Sequence, residues 1–170
     1  MPVARNSVTI SGGLTLSYLE AGEGKPLVML PGWSQSAAEF KHQVNALAEG
    51  RRVIALDLRG HGDSQWVIGS NYAMIDYVYD IAQLLHQQDR FPVTVIGHSL
   101  GGSISLQYAG IFPDCVSQLV SIEGLGPSPK MIEHRGKTPV EERMREWIEA
   151  GRSMAGRTPR RYDSLEQAFH

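Results

Sequence analysis

The chain has 170 residues, enough for one domain, and is 42% hydrophobic and 20% charged, which excludes disordered and fibrous classes. Sixteen Lys+Arg against 18 Asp+Glu leave a net charge of −2, which argues against a dedicated binder of nucleic acid or anionic membranes. No apolar run approaches the roughly 18–20 residues that span a bilayer, and Cys115 alone allows no internal disulfide, so the expected compartment is a reducing cytoplasm.

In chain order, residues 1–19 alternate apolar and polar positions and lack the basic start and apolar core of a signal peptide. Residues 7–10 and 14–19 form a hairpin turning at Gly12-Gly13. Leu27-Val28-Met29-Leu30, closed by Pro31-Gly32, is an unbroken apolar run and reads as a strand buried on both faces. Over 36–49 the apolar residues recur at 37, 40, 44, 47 and 48, a helical stripe. Residues 52–56 form the next buried strand, followed by a loop through Asp57-Leu58-Arg59-Gly60-His61-Gly62-Asp63-Ser64. A second helix spans 72–88, with Ile75, Val78, Ile81, Leu84 and Leu85 on one face. Residues 93–96 make a third apolar strand, 100–112 a third helix, and Leu119-Val120-Ser121-Ile122 a fourth apolar strand. Apolar strands alternating with amphipathic helices mean βαβ units. The expected fold is therefore α/β, a mostly parallel sheet with helices on both faces.

Gly124-Leu125-Gly126-Pro127-Ser128-Pro129 is the most breaker-rich stretch of the chain. The charge changes there as well, from a net of −4 over 1–129 to +2 over 130–170. The expected division is 1–126 as core and 127–170 as a helical second part. In the latter, 139–150 is a helix whose apolar face is Val140, Met144, Trp147 and Ile148. Ser164-Leu165-Glu166-Gln167 is a capping box. Too few residues follow it for a helix that holds in water by itself, so the helix body is expected to lie beyond residue 170. Repeats and low-complexity tracts are absent.

Gly97-His98-Ser99-Leu100-Gly101-Gly102 follows the strand 93–96 and opens the helix 100–112. Gly-x-Ser-x-Gly arises by chance in about one chain in twenty of this length, so the strand–turn–helix context is what gives it weight. A sharp turn forces the serine into a strained conformation, and small residues two before and two after it let strand and helix approach. Ser99 Oγ would then stand at the carboxyl edge of the sheet, beside the unpaired N–H groups of a helix N-terminus that favour an oxyanion.

With Leu30-Pro31-Gly32-Trp33 after one strand, Asp57 to Ser64 after the next and Gly97 to Gly102 after the third, residues 5–125 resemble the α/β-hydrolase superfamily. The resemblance implies Ser99 as nucleophile and an oxyanion hole formed by the backbone N–H groups of Trp33 and Leu100. Pro31 stands where the family usually has His, a departure that leaves the backbone donor intact. Trp33 reads equally as a packing aromatic, and His98 as a wall of the pocket. The Asp57 loop implies a structural turn, with Asp63 and Ser64 suited to it and Arg59 holding it by hydrogen bonds. The stretch 131–170 fits the start of the family's helical cap, and Arg157, Arg160 and Arg161 read as a solvated face.

A serine nucleophile needs a base and the base an orienting acid, in this family in the chain order Ser, acid, His. Glu123, at the end of the strand 119–122, is either that acid or a carboxylate lining the pocket. After Ser99 come only His134 and His170, and neither follows a strand; His42 and His86 lie on exposed helix faces and His61 in a turn. The base is therefore expected outside these 170 residues, in a further segment in cis or trans. The expected activity is hydrolysis of an ester, thioester or carbon–carbon bond next to a carbonyl, on a small-molecule substrate. Two alternatives stay open: a cofactor-free dioxygenase or haloperoxidase-like member of the fold, and an inactive truncated or two-chain protein. No cofactor or metal is implied; Cys115 reads as a structural thiol.

Overall fold

Alternation decides which way each strand faces. In β3 (Lys25–Leu30), Leu27 and Met29 turn to one side of the sheet and Val28 and Leu30 to the other, and all four are buried. β4 (Arg51–Leu56) repeats this with Val53 and Ala55 against Ile54 and Leu56. Such strands belong in the middle of a sheet that helices cover on both sides. The computed structural model describes residues 2–67, 72–88, 91–154 and 161–168 and contains that sheet. With β1 (Ala4–Thr9), β2 (Thr15–Ala21), β5 (Val93–His98) and β6 (Val116–Ile122), the strand order is β1-β2-β4-β3-β5-β6. β1, β2 and β4 pair antiparallel, whereas β4, β3, β5 and β6 run parallel.

One face is covered by a 3₁₀ turn (Ala37–Phe40) leading into α1 (Lys41–Leu47), where Ala37, Phe40 and Val44 pack on Leu27, Met29, Val53 and Ala55. On the other, α2 (Met74–Gln87) and α3 (Leu100–Ile111) bring Val78, Ile81, Leu84, Leu85, Ile104 and Tyr108 onto Val28, Leu30, Ile54, Leu56 and Val95. Beyond the sheet come α4 (Pro129–Lys137), α5 (Val140–Met154) and the short α6 (Leu165–Ala168).

Among the departures of local structure from the sequence reading, four have a direct physical reason. The helix expected over 36–49 begins as a 3₁₀ turn, because Ser36 Oγ and Asp57 Oδ1 capture the N–H groups of Ala38 and Ala37 at 3.3 and 2.6 Å and tighten its entry. Ile75 is 59% exposed; at about 100° per residue it lies about 120° from the centre of the stripe that Tyr77, Val78, Ile81, Leu84 and Leu85 bury. β6 starts three residues earlier than expected, at Val116, since an edge strand accommodates the polar Ser117 and Gln118. Finally, α4 was not anticipated, although its start is legible: Ser128 Oγ accepts from the Met131 N–H at 3.3 Å and Pro129 takes the first helical position. At the far end Ser164 caps the Gln167 N–H as expected, while Gln167 Oε1 accepts from the Asp163 N–H at 3.1 Å. Arg157, Arg160 and His170 lie outside the described residues.

Candidate active site

Parallel pairing places Leu30 beside Gly97, so the loops after β3 and β5 leave the same edge of the sheet side by side. Between β5 and α3, Ser99 holds φ 51° and ψ −111°, a conformation that L-residues rarely adopt. Gly97 and Gly101 make the turn sterically feasible. A Cβ on Gly97 would strike the Gly101 carbonyl and the Ser105 hydroxyl, and one on Gly101 would strike Leu30 O and sit 2.7 Å from Pro31 O. The elbow is pinned on both sides: the Gly101 N–H donates to Pro31 O at 3.1 Å and the Ser99 N–H to Ile122 O at 2.8 Å.

The two backbone groups expected to serve an oxyanion are free to do so. Neither the Trp33 N–H nor the Leu100 N–H has an acceptor among the described residues. Trp33 is 67% exposed, which settles its alternative reading: it is no core packing residue. Gln35, which the sequence reading missed, holds this loop. Its Oε1 accepts from the Gly32 N–H at 2.7 Å and lies 2.8 Å from His98 Nδ1, while its own N–H donates to Gly32 O at 3.2 Å. An acceptor at that position makes His98 Nδ1 the protonated nitrogen. The sole hint in the sequence is the three-residue spacing from Gly32 to Gln35.

The Ser99 hydroxyl has no hydrogen-bond partner among the described residues. His61 Nδ1 is engaged by Arg59 O at 2.9 Å, His42 and His86 are exposed on helices, and His134 lies on α4. Glu123 has φ 58°, a side chain that is 81% exposed, and Oε2 3.8 Å from His98 Nε2. Ser34, Ser99 and Glu123 are the non-glycine residues with positive φ among those described, and all three lie in loops leaving the carboxyl edge of the sheet. Backbone strain gathers where chemistry is expected. Among the described residues no group of three His, Cys, Asp or Glu could hold a metal.

Asp57 is fully buried and wholly used as a structural acceptor, from the Ala37 N–H at 2.6 Å, the Asp63 N–H at 3.1 Å and Arg5 at 2.7 Å. The sequence reading gave Arg59 the task of holding this loop; that task falls to Arg5. Arg59 instead reaches α2 and forks onto Asp80 at 2.6 and 2.5 Å, with Asp76 at 3.6 Å. Burial alone would lower the Arg59 guanidinium, but the hydrogen bond and charge of Asp80, with Asp76, more than restore it. Burial likewise pushes the Asp80 carboxyl up, against the pull of Arg59.

A family model described as "alpha/beta hydrolase fold" matches residues 25–147. The soluble epoxide hydrolase of Corynebacterium sp. (strain C12) is 38% identical over 128 residues, which are 75% of this chain and 43% of that protein. A probable serine hydrolase of Drosophila melanogaster is 32% identical over 132 residues, 74% of this chain and 40% of that one. Among solved structures, the epoxide hydrolase CorEH without ligand superposes with a TM-score of 0.67 at 33% identity, covering 82% of this chain and 48% of its own. The chain thus spans about two fifths of the length of the curated relatives it matches.

Proposed function

Because the chain belongs to the α/β-hydrolase family, we propose that Ser99 is the nucleophile of a hydrolase acting on an ester, thioester or carbon–carbon bond beside a carbonyl. The strained Ser99, with unpartnered N–H groups in the loop after β3 and at the first residue of α3, is the observation that carries this reading. Its Oγ attacks the carbonyl carbon as a base removes the hydroxyl proton. The oxygen that gains charge rests on the Trp33 and Leu100 N–H groups; losing one such donor typically costs about 2.7–4 kcal/mol of barrier lowering. Collapse expels the protonated leaving group, and water then releases the acyl group from Ser99. An oxyanion hole serves a carbonyl that becomes tetrahedral, which favours such substrates over an epoxide for this site.

With no histidine on Ser99 among the described residues, the base is assigned to polypeptide beyond these 170 residues, in cis or in trans. Glu123, largely exposed, is read as a carboxylate at the pocket rim beside His98 rather than as the orienting acid. Residues 127–170 are read as the beginning of a cap over the site.

A fluorophosphonate followed by intact mass tests the reading. Slow single labelling, lost in Ser99→Ala, and turnover of p-nitrophenyl acetate near the buffer rate are expected for these 170 residues. Equal labelling of Ser99→Ala would remove Ser99 as nucleophile. Rapid turnover abolished by Ser99→Ala would place a working base within the chain.

A further inference from the structure

The loops leaving β3 and β4 and the first turn of α2 enclose a groove of about 520 Å³, inside the span of roughly 300–1,000 Å³ that small-molecule sites occupy. Trp33, His61, Trp66, Tyr72 and Tyr77 line it. The rings are ordered edge to face: Trp33 and His61 have centroids 5.7 Å apart at 81°, and His61 and Tyr77 lie 6.4 Å apart at 66°. Each wall is held from behind. His61 is fixed through Nδ1 on Arg59 O at 2.9 Å, and Tyr72 accepts the Val67 N–H at 2.9 Å while its ring covers Gly60, where a Cβ would sit 2.7 Å from it. Trp33 and Trp66 keep 67% and 54% of their surface exposed, a pair of large apolar side chains at the rim of one concavity.

Tyr77 is the most deeply buried of these aromatic walls. It is 2% exposed, and its hydroxyl, shielded from water, has no hydrogen-bond partner among the described residues. Leaving a buried hydroxyl unpaired is costly, and most native ones find a partner. Burial pushes this phenol up to about 12.

We propose that this groove binds the flat aromatic part of a carbonyl substrate. The proposal rests on the Ser99 reading: Trp33 lines the groove with its side chain, and its backbone N–H is one of the two groups offered to the oxyanion, so the groove adjoins a carbonyl held there. A saturated substituent would fill the volume without meeting ring edges with ring faces.

The three tryptophans provide three indole N–H resonances, of Trp33, Trp66 and Trp147, for titration with quinolin-3-ylacetamide, naphthalen-2-ylacetamide and cyclohexylacetamide. Amides are used because they resist acyl transfer, so binding is read without turnover. Both aromatic amides are expected to shift Trp33 and Trp66, leave Trp147 in place, and bind at least tenfold more tightly than the cyclohexyl compound. Trp66→Ala, at an exposed position, should erase that preference. Equal affinity for the saturated amide, or indifference to Trp66→Ala, would overturn the proposal. Shifts that appear only after Trp147→Ala would mean that α5 fills the groove, and would overturn it too. The Ser99→Ala variant should bind all three amides like the parent chain. Failed phosphonate labelling with the shifts intact would therefore strike the nucleophile alone, and labelling without aromatic preference the groove alone.

Discussion

Ser99 holds its backbone at φ 51° because its neighbours leave it no alternative: the strand before it and the helix after it meet through two glycines whose missing Cβ atoms are replaced by carbonyl oxygens. Gly101→Ala must push α3 away from Leu30 and Pro31. We expect it to cost about 1–3 kcal/mol in urea unfolding, the range for overpacking a tight contact, and to lose Ser99 labelling. Gly136→Ala, in an exposed helix with open space around the new methyl, should instead raise stability by up to about 1 kcal/mol. Tyr77 yields a pH prediction. Its folded pKa, about 12, lies above the ordinary 10, so between these values the unfolded chain loses a proton that the folded one keeps. Stability attached to this phenol is complete below pH 10 and is lost as pH rises towards 12, by about 2–3 kcal/mol. Tyr108, buried and shifted in the same direction, adds to the loss. Alkaline unfolding followed by tyrosinate absorbance should show this decline, and Tyr77→Phe should flatten it.

At the scale of elements, two buried carboxylates tie the loops to the framework. Asp57 joins the end of β4 to the entry of the 3₁₀ turn and to Arg5 of β1. Asp80 joins α2 to the β4 loop through Arg59, which is 7% exposed. Asp80→Ala would leave that guanidinium buried without its main partner, and a loss of about 3–5 kcal/mol in chemical unfolding is expected. Asp76→Ala, which removes a longer, partly exposed contact to Arg59 and the bond Asp76 Oδ2 accepts from the Ala73 N–H at 2.9 Å at the start of α2, should cost less, about 1 kcal/mol. Both ties act on the loops that wall the aromatic groove. Asp80→Ala should accordingly weaken binding of the aromatic amides as well as the fold.

Across the whole molecule, the antiparallel side of the sheet ends in β1, while the parallel side ends at β6 with Val120 and Ile122 47% and 45% exposed. Met131, Ile132, Val140, Met144, Trp147 and Ile148 of α4 and α5 are 48–60% exposed as well. An exposed parallel edge and exposed apolar helix faces are each a template for pairing with another strand or another copy. These 170 residues are expected to self-associate in sedimentation velocity, and Val120→Lys should shift the distribution towards monomer, since an edge lysine opposes strand addition. A sharp monomer peak for the parent chain at micromolar concentration would contradict this expectation.

The residues along the chain already determined the alternation of buried strands and amphipathic helices, the order of the three loops at the carboxyl edge and the place of Ser99, because periods of 2 and 3.6 and the sterics of Gly-x-Ser-x-Gly are local properties. They could not reveal which loop each charged side chain holds. The sequence places Arg59 on its own turn, but it serves α2, and Arg5, 52 residues from Asp57, takes the place expected of it. Nor could they gather Trp33, Trp66, Tyr72 and Tyr77 into one groove or set Gln35 between Gly32 and His98. Such contacts depend on which strands become neighbours, and the sheet order β4-β3-β5 is decided by packing between segments far apart in the chain rather than by the pattern within any of them.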